Sequence, residues 1–140
     1  MSGATKVDLL RSIPLFARLR KGDLERVAQL ADEVDVQSER VLMREGQRGA
    51  EMFVIASGRV RVERSGQEIA NLGPGDWLGE MALVSEGDRT ATATTTEPSE
   101  LLVVGHREFH SLMDELPTVR AAVFECVADR IRKLDTLTTH

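Results

Sequence analysis

Glu80 and Arg89 bring a hydrogen-bond-accepting carboxylate and a fixed cation into one short segment of the chain. They belong to the segment Gly73-Pro74-Gly75-Asp76-Trp77-Leu78-Gly79-Glu80-Met81-Ala82-Leu83, and Arg89-Thr90-Ala91 begins nine residues after Glu80. These parts suit an anion site. Gly79 permits close backbone approach, and a short helix started by Glu80 to Leu83 would turn its unpaired N–H groups toward a phosphate. Arg89 adds a permanent positive charge on a planar fork matched to phosphate oxygens. A carboxylate beside a phosphate would repel it, so Glu80 needs another partner, most naturally a hydroxyl such as a ribose OH. Singly, neither residue points to a ligand. An arginine on a strand is ordinarily solvated, and a glutamate after glycine is ordinarily a helix-start charge worth about 0.3–1 kcal/mol against the dipole. Their joint spacing is what points to a site.

Other chemical patterns fail on detail. His106 and His110 stand four apart on an expected helix, but a zinc protease needs its glutamate directly after the first histidine, and no third ligand is evident. Gly73, Gly75 and Gly79 place the third glycine one position late for a dinucleotide loop, and no long βαβ unit follows. Thr92, Thr94, Thr95 and Thr96 reflect strand propensity. Arg130, Arg132 and Lys133 solvate a helix end and complement its dipole, and one of them could cap a bound base. A lone Cys126 cannot form an internal disulfide or a multi-thiolate metal site; it reads as a small core or interface residue.

Gly79-Glu80-Met81-Ala82-Leu83 followed by Arg89-Thr90-Ala91 resembles the phosphate-binding cassette of the cyclic-nucleotide-binding domain family. Arg44-Glu45-Gly46 and the run from Met52 to Val60 resemble that family's glycine-punctuated strands. The resemblance implies that Arg89 grips the cyclic phosphate, that Glu80 accepts from the ribose 2′-OH, and that Gly79, Ala82 and Leu83 line the cassette. It places Thr90 near phosphate and base, beside Ala91, and leaves the base to apolar strand residues, Ile69 and Leu72, and to a closing helix. One departure is Leu78 where many members have Phe, with Trp77 one place earlier. Thr90 does not decide the base; the expected ligand is cyclic AMP, with cyclic GMP as the alternative. The implied function is a non-catalytic sensor that repositions its C-terminal helix for an effector protein. A rival is a structural or interaction module that keeps the fold without using the ligand. A cupin-like enzyme would need clustered His ligands on the strands, which the sequence does not offer.

Periodicity predicts the helices and strands around these residues. Leu24, Val27, Ala28 and Leu30 after Asp23 predict a short amphipathic helix, and the proline-kinked Ile13-Pro14-Leu15-Phe16 before it is expected to pack on a sheet. Met52 to Ile55, Arg59 to Val62 and Glu68 to Leu72 predict strands joined by Ser57-Gly58 and Ser65-Gly66 turns, with further strands at 89–96 and 100–104. Helical spacing returns in Arg107 to Leu116 and, past Pro117, to about Leu134. The expected fold is mostly β with flanking α: an antiparallel, jelly-roll-like β-barrel with an N-terminal helix and two C-terminal helices over about 106–138. Residues 1–5 are expected to fray. Val119, Val123, Val127, Ile131 and Leu134 form a stripe that could seal the barrel or join a homodimer.

Composition sets the outer bounds. The chain has 140 residues, 41% of them hydrophobic, with 18 Lys+Arg against 23 Asp+Glu and a net charge of −5. That composition and length predict one ordinary globular domain with its own core and argue against disorder. The acidic balance argues against direct nucleic-acid binding. No apolar run approaches a membrane span and no secretory signal is visible, so a cytoplasmic location is expected. No helix-turn-helix, kinase or channel segment follows, so the output is expected to lie in a partner, an oligomer or a fusion.

Overall fold

Four consecutive apolar residues, Met52 to Ile55, explain the layering of the molecule. They lie in one strand whose successive side chains point to opposite faces, yet all four are buried. Both faces of that strand must therefore be covered. In the computed structural model, which describes residues 3–85 and 87–138, Met52 and Val54 face a core shared with the helices, whereas Phe53 and Ile55 face a second sheet.

The chain opens with α1 (Gly3–Arg11), a 3-10 turn (Pro14–Phe16) and α2 (Lys21–Leu30). Ten strands follow: β1 (Asp32–Val36), β2 (Val41–Met43), β3 (Arg48–Gly49), β4 (Glu51–Ser57), β5 (Val60–Arg64), β6 (Gln67–Leu72), β7 (Trp77–Leu78), β8 (Gly87–Asp88), β9 (Thr92–Thr95) and β10 (Ser99–Gly105). A second 3-10 turn, Glu80–Leu83, sits between β7 and β8, and α3 (His106–Glu115) and α4 (Pro117–Thr138) end the described chain. One sheet has the order β1-β10-β4-β7 and the other β2-β9-β5-β6, with β3 and β8 forming a small ribbon. The pairings are antiparallel throughout. The fold is thus mostly β with flanking helices, a jelly-roll-like pair of sheets.

Several boundaries differ from expectation. There are two N-terminal helices, because Val7 and Leu10 bury a second short helical face beside α2. Gly3 to Thr5, expected to fray, belong to α1; Met1 and Ser2 lie outside the described residues. The Pro14–Phe16 turn buries Leu15 and Phe16, and Phe16 meets Phe109 of α3 with ring centroids 5.5 Å apart. The strand expected from position 89 begins only at Thr92. Arg89 instead exchanges backbone bonds with the preceding turn: its N–H donates to Gln47 O at 2.7 Å, and Gly46 N–H donates to Arg89 O at 2.8 Å. β1 escaped pattern reading because Asp32, Glu33 and Asp35 make it a polar strand at a sheet edge, where charge discourages further pairing.

Candidate functional site

The turn Glu80–Leu83 is anchored by its inner side chains. Leu83 is fully buried in the helix-side core, a burial worth about 1.5–3 kcal/mol, and Ala82 is nearly so. His106 Nδ1 lies 2.7 Å from Ala82 O; since a carbonyl only accepts, Nδ1 carries the proton and ties the start of α3 to the turn. Gly79 opens the turn in the left-handed region, φ 72°, which strongly favours glycine. A Cβ there would stand 2.5 Å from Arg89 Nη1 and 3.1 Å from Glu51 O.

Arg89 occupies a cradle built from backbone. Its Nη2 donates to Glu51 O at 2.7 Å, and its Cζ lies 6.0 Å from the centre of the Phe53 ring. Gly49 forms the other wall, where any Cβ would run into the guanidinium Nε, Cζ and Cδ. Burial lowers the proton affinity of this guanidinium, and the nearby Glu51 carboxylate opposes that shift. Arginine stays charged regardless. One residue on, Thr90 O accepts from Arg64 Nε at 3.0 Å, so the carbonyl after Arg89 is also held.

Gly79, Ala82, Arg89 and Thr90 converge on a cavity of about 200 Å³, together with Ser85, Gly87 and Asp88 and the thioether side chains of Met43 and Met81. A larger groove of about 620 Å³ between α1 and α2 mixes Lys6, Arg11 and Lys21 with Asp8 and Glu25 and lies apart from these residues. The smaller cavity is the one that gathers Gly79, Ala82, Arg89 and Thr90. Among the described residues no cluster of three or more His, Cys, Asp or Glu could hold a metal ion.

Glu80 does not line the cavity. Its Oε2 accepts from Leu15 N–H at 3.3 Å, and its Oε1 accepts from Arg130 Nη2 of α4 at 2.6 Å. Arg130 Nη1 also lies 2.8 Å from Met81 Sδ. Glu80 and Arg89 therefore serve different partners from adjoining positions, and neither is turned out into solvent. The remaining expected residues divide. Leu83 and Ala91 are core residues supporting the cavity from behind, and Leu72 packs on the inter-sheet core. Ile69 is half exposed on β6 and is not brought to the cavity. The apolar lining comes instead from Met43 and Met81, which no spacing in the sequence marks out. Arg130 was visible only as one of three cations at a helix end.

The cyclic nucleotide-binding domain model matches residues 33–115, more than half the chain and all of this constellation except the contacts from α4 and the N-terminal turn. The chain belongs to the cyclic nucleotide-binding domain family. A cyclic AMP receptor protein of Thermus thermophilus is 38% identical over 96 residues, covering 65% of this chain and 44% of that protein. A cGMP-dependent protein kinase of Caenorhabditis briggsae is 31% identical over 121 residues, covering 81% of this chain and 16% of the kinase. The chain thus spans less than half the length of either relative. The N-terminal domain of a transcriptional regulator from Streptomyces coelicolor superposes with a TM-score of 0.84 at 33% identity, covering 92% of this chain and 96% of that one. This cyclic nucleotide-binding regulatory domain thus has a near full-length structural counterpart. Among its described residues no helix is long and apolar enough to cross a membrane.

Proposed function

We propose that this domain is a non-catalytic cytoplasmic sensor for cyclic AMP that signals by changing the position of α4. The observation that carries the reading is the Arg89 guanidinium held between Gly49 and Gly79 at the mouth of the Glu80–Leu83 turn. One ligand charge would meet that fork and the turn's amides, with each charge-assisted bond contributing roughly 1.5–3 kcal/mol. Gly79, Ala82 and Thr90 would border the ligand, and Leu83 and Ala91 would fix the cassette from the core. Met43 and Met81 supply the apolar surface for the base. Glu80 would accept from the ribose 2′-OH while remaining bound to Arg130, so that sugar and α4 share one carboxylate. Cyclic AMP is preferred because the more identical of the two relatives above carries that nucleotide in its name.

Cyclic GMP is the second reading, favoured by the cGMP-dependent kinase relative. Calorimetric titration with cyclic AMP, cyclic GMP and 5′-AMP separates the possibilities. Tighter binding of cyclic AMP supports the proposal, preference for cyclic GMP replaces it, and no binding of either cyclic nucleotide assigns the fold to an interaction module.

Output would pass through α4 to an effector protein. Phe124 is 73% exposed and Ile131 55% exposed, one heptad apart on α4, while Val119 and Val123 are buried inward. The stripe expected to act as one face is therefore split: its first half seals the core and Ile131 looks outward. The side chain of Leu134 lies outside the described residues. The outward face fits a second copy of α4 in a homodimer.

A further inference from the structure

One stripe of α4 meets both the N-terminal turn and the Glu80 carboxylate. Arg18 follows the Pro14–Phe16 turn, and its guanidinium reaches across to α4, where Nη2 donates to Asp129 Oδ2 and Nη1 lies 3.4 Å from Glu125 Oε2. Cys126 donates its Sγ–H to Pro14 O at 3.3 Å. Glu125, Cys126, Asp129 and Arg130 follow helical spacing along one side, so the side that grips the turn also delivers Arg130 to Glu80. Leu15 N–H, from the middle of the same turn, reaches the other oxygen of that carboxylate.

We propose that Arg18 is a positioning residue: by clasping Asp129 and Glu125 it sets the height and rotation of α4 at which Arg130 meets Glu80. The N-terminal turn then governs how Glu80 presents its free lone pairs to a ligand hydroxyl. Arg132 and Arg18 together hold the Asp129 carboxyl below its ordinary range, so the clasp is ionised at neutral pH. Asp129 is also fixed through Arg132, one turn along the helix, so it is a network and not an isolated pair. The consequence for ligand selectivity rests on the cyclic AMP reading; the clasp itself does not.

Cys126 is the chain's one cysteine and sits in the seam, so its labelling rate reports the clasp without any nucleotide. In Arg18→Gln the rate of reaction with a maleimide should rise about threefold, the size expected for a partly exposed ion-pair network. An unchanged rate overturns the clasp. Calorimetry on the wild type, Arg18→Gln, Arg130→Ala and the double variant supplies the second arm, with cyclic AMP and its 2′-deoxy analogue as probes. Arg18→Gln should weaken cyclic AMP about threefold, leave the deoxy analogue nearly unchanged, and add nothing to Arg130→Ala, because residues acting in series are non-additive. Equal losses for both nucleotides, or additive losses in the double variant, overturn the positioning role. If the wild type binds neither nucleotide, the proposed function and the positioning role fall together, while the labelling rate still judges the clasp.

Discussion

Arg130 of α4 pairs with Glu80 of the 3-10 turn at 2.6 Å across fifty residues of sequence, with only 32% and 14% of the two side chains exposed. A carboxylate offers about four acceptor positions on its two oxygens, so Arg130 and Leu15 leave room for a hydroxyl donor. In the proposed reading this shared carboxylate couples the sugar to α4. A ligand shifts a helix equilibrium only by its differential affinity for the two positions, and Glu80 is where that difference would arise.

Glu80→Gln tests that coupling. It should weaken cyclic AMP more than 2′-deoxy cyclic AMP, because the amide keeps the shape but accepts a hydroxyl proton less strongly and releases Arg130. Calorimetry with both nucleotides checks it; equal losses would reject the ribose assignment.

In the proposed reading, Arg89→Ala should weaken cyclic AMP by more than about tenfold, or about 1.4 kcal/mol, because it would remove the principal counter-charge for the phosphate. Thermal melting of the ligand-free variant should stay close to wild type, because among the described residues its side-chain hydrogen bond goes to a carbonyl, that of Glu51.

Gly49→Ala probes the cradle without touching a charged group. The new methyl would occupy the space of the guanidinium, so Arg89 must leave its place beside Gly79. Affinity should fall about tenfold, comparable to losing one charge-assisted bond, with the far-UV circular dichroism spectrum retained. Unchanged affinity would show that Arg89 binds from a different position.

Acid sensitivity should trace to Asp129. Its partners, Arg132 foremost and then Arg18, lower its folded value below the ordinary 3.8. A depressed carboxylate contributes stability that is fully present above the unfolded value and is lost as pH falls through the folded one. The contribution of this carboxylate should therefore be constant from neutral pH to about pH 5 and disappear in more acid solution. Thermal melts of the wild type and Asp129→Asn across that range should converge at the acid end.

Phe124→Glu should abolish any homodimer formed through α4 while leaving the fold intact, since that side chain makes no core contact and is 73% exposed. Sedimentation at graded concentration reads the outcome, and an unchanged association state would place the interface elsewhere.

The strand at Met52–Ile55 was legible as a short unbroken apolar run, and the strand carrying Val60 and Val62 by its alternation. β1 was not, because its charged residues mask any apolar period, nor were the two-residue strands β3, β7 and β8, which only pairing with distant partners makes strands. Within the site, the Gly79-Glu80 and Arg89 spacing was readable because a left-handed glycine and a fixed charge are local requirements. Ile69 lies away from the cavity for the complementary reason: an apolar residue on a strand shows its period but not which face meets a given cavity.

Local chemistry thus determined the turn that opens with Gly79, the charge of Arg89 and the helical character of both ends of the chain. Tertiary structure alone decided that Gly49 walls the guanidinium, that Met43 and Met81 line the cavity, and that Glu80 lies between Leu15 and Arg130. Periodicity describes a residue relative to its own element, whereas these contacts join residues tens of positions apart, and only the packing of helices and sheets around two cores brings them within hydrogen-bonding distance.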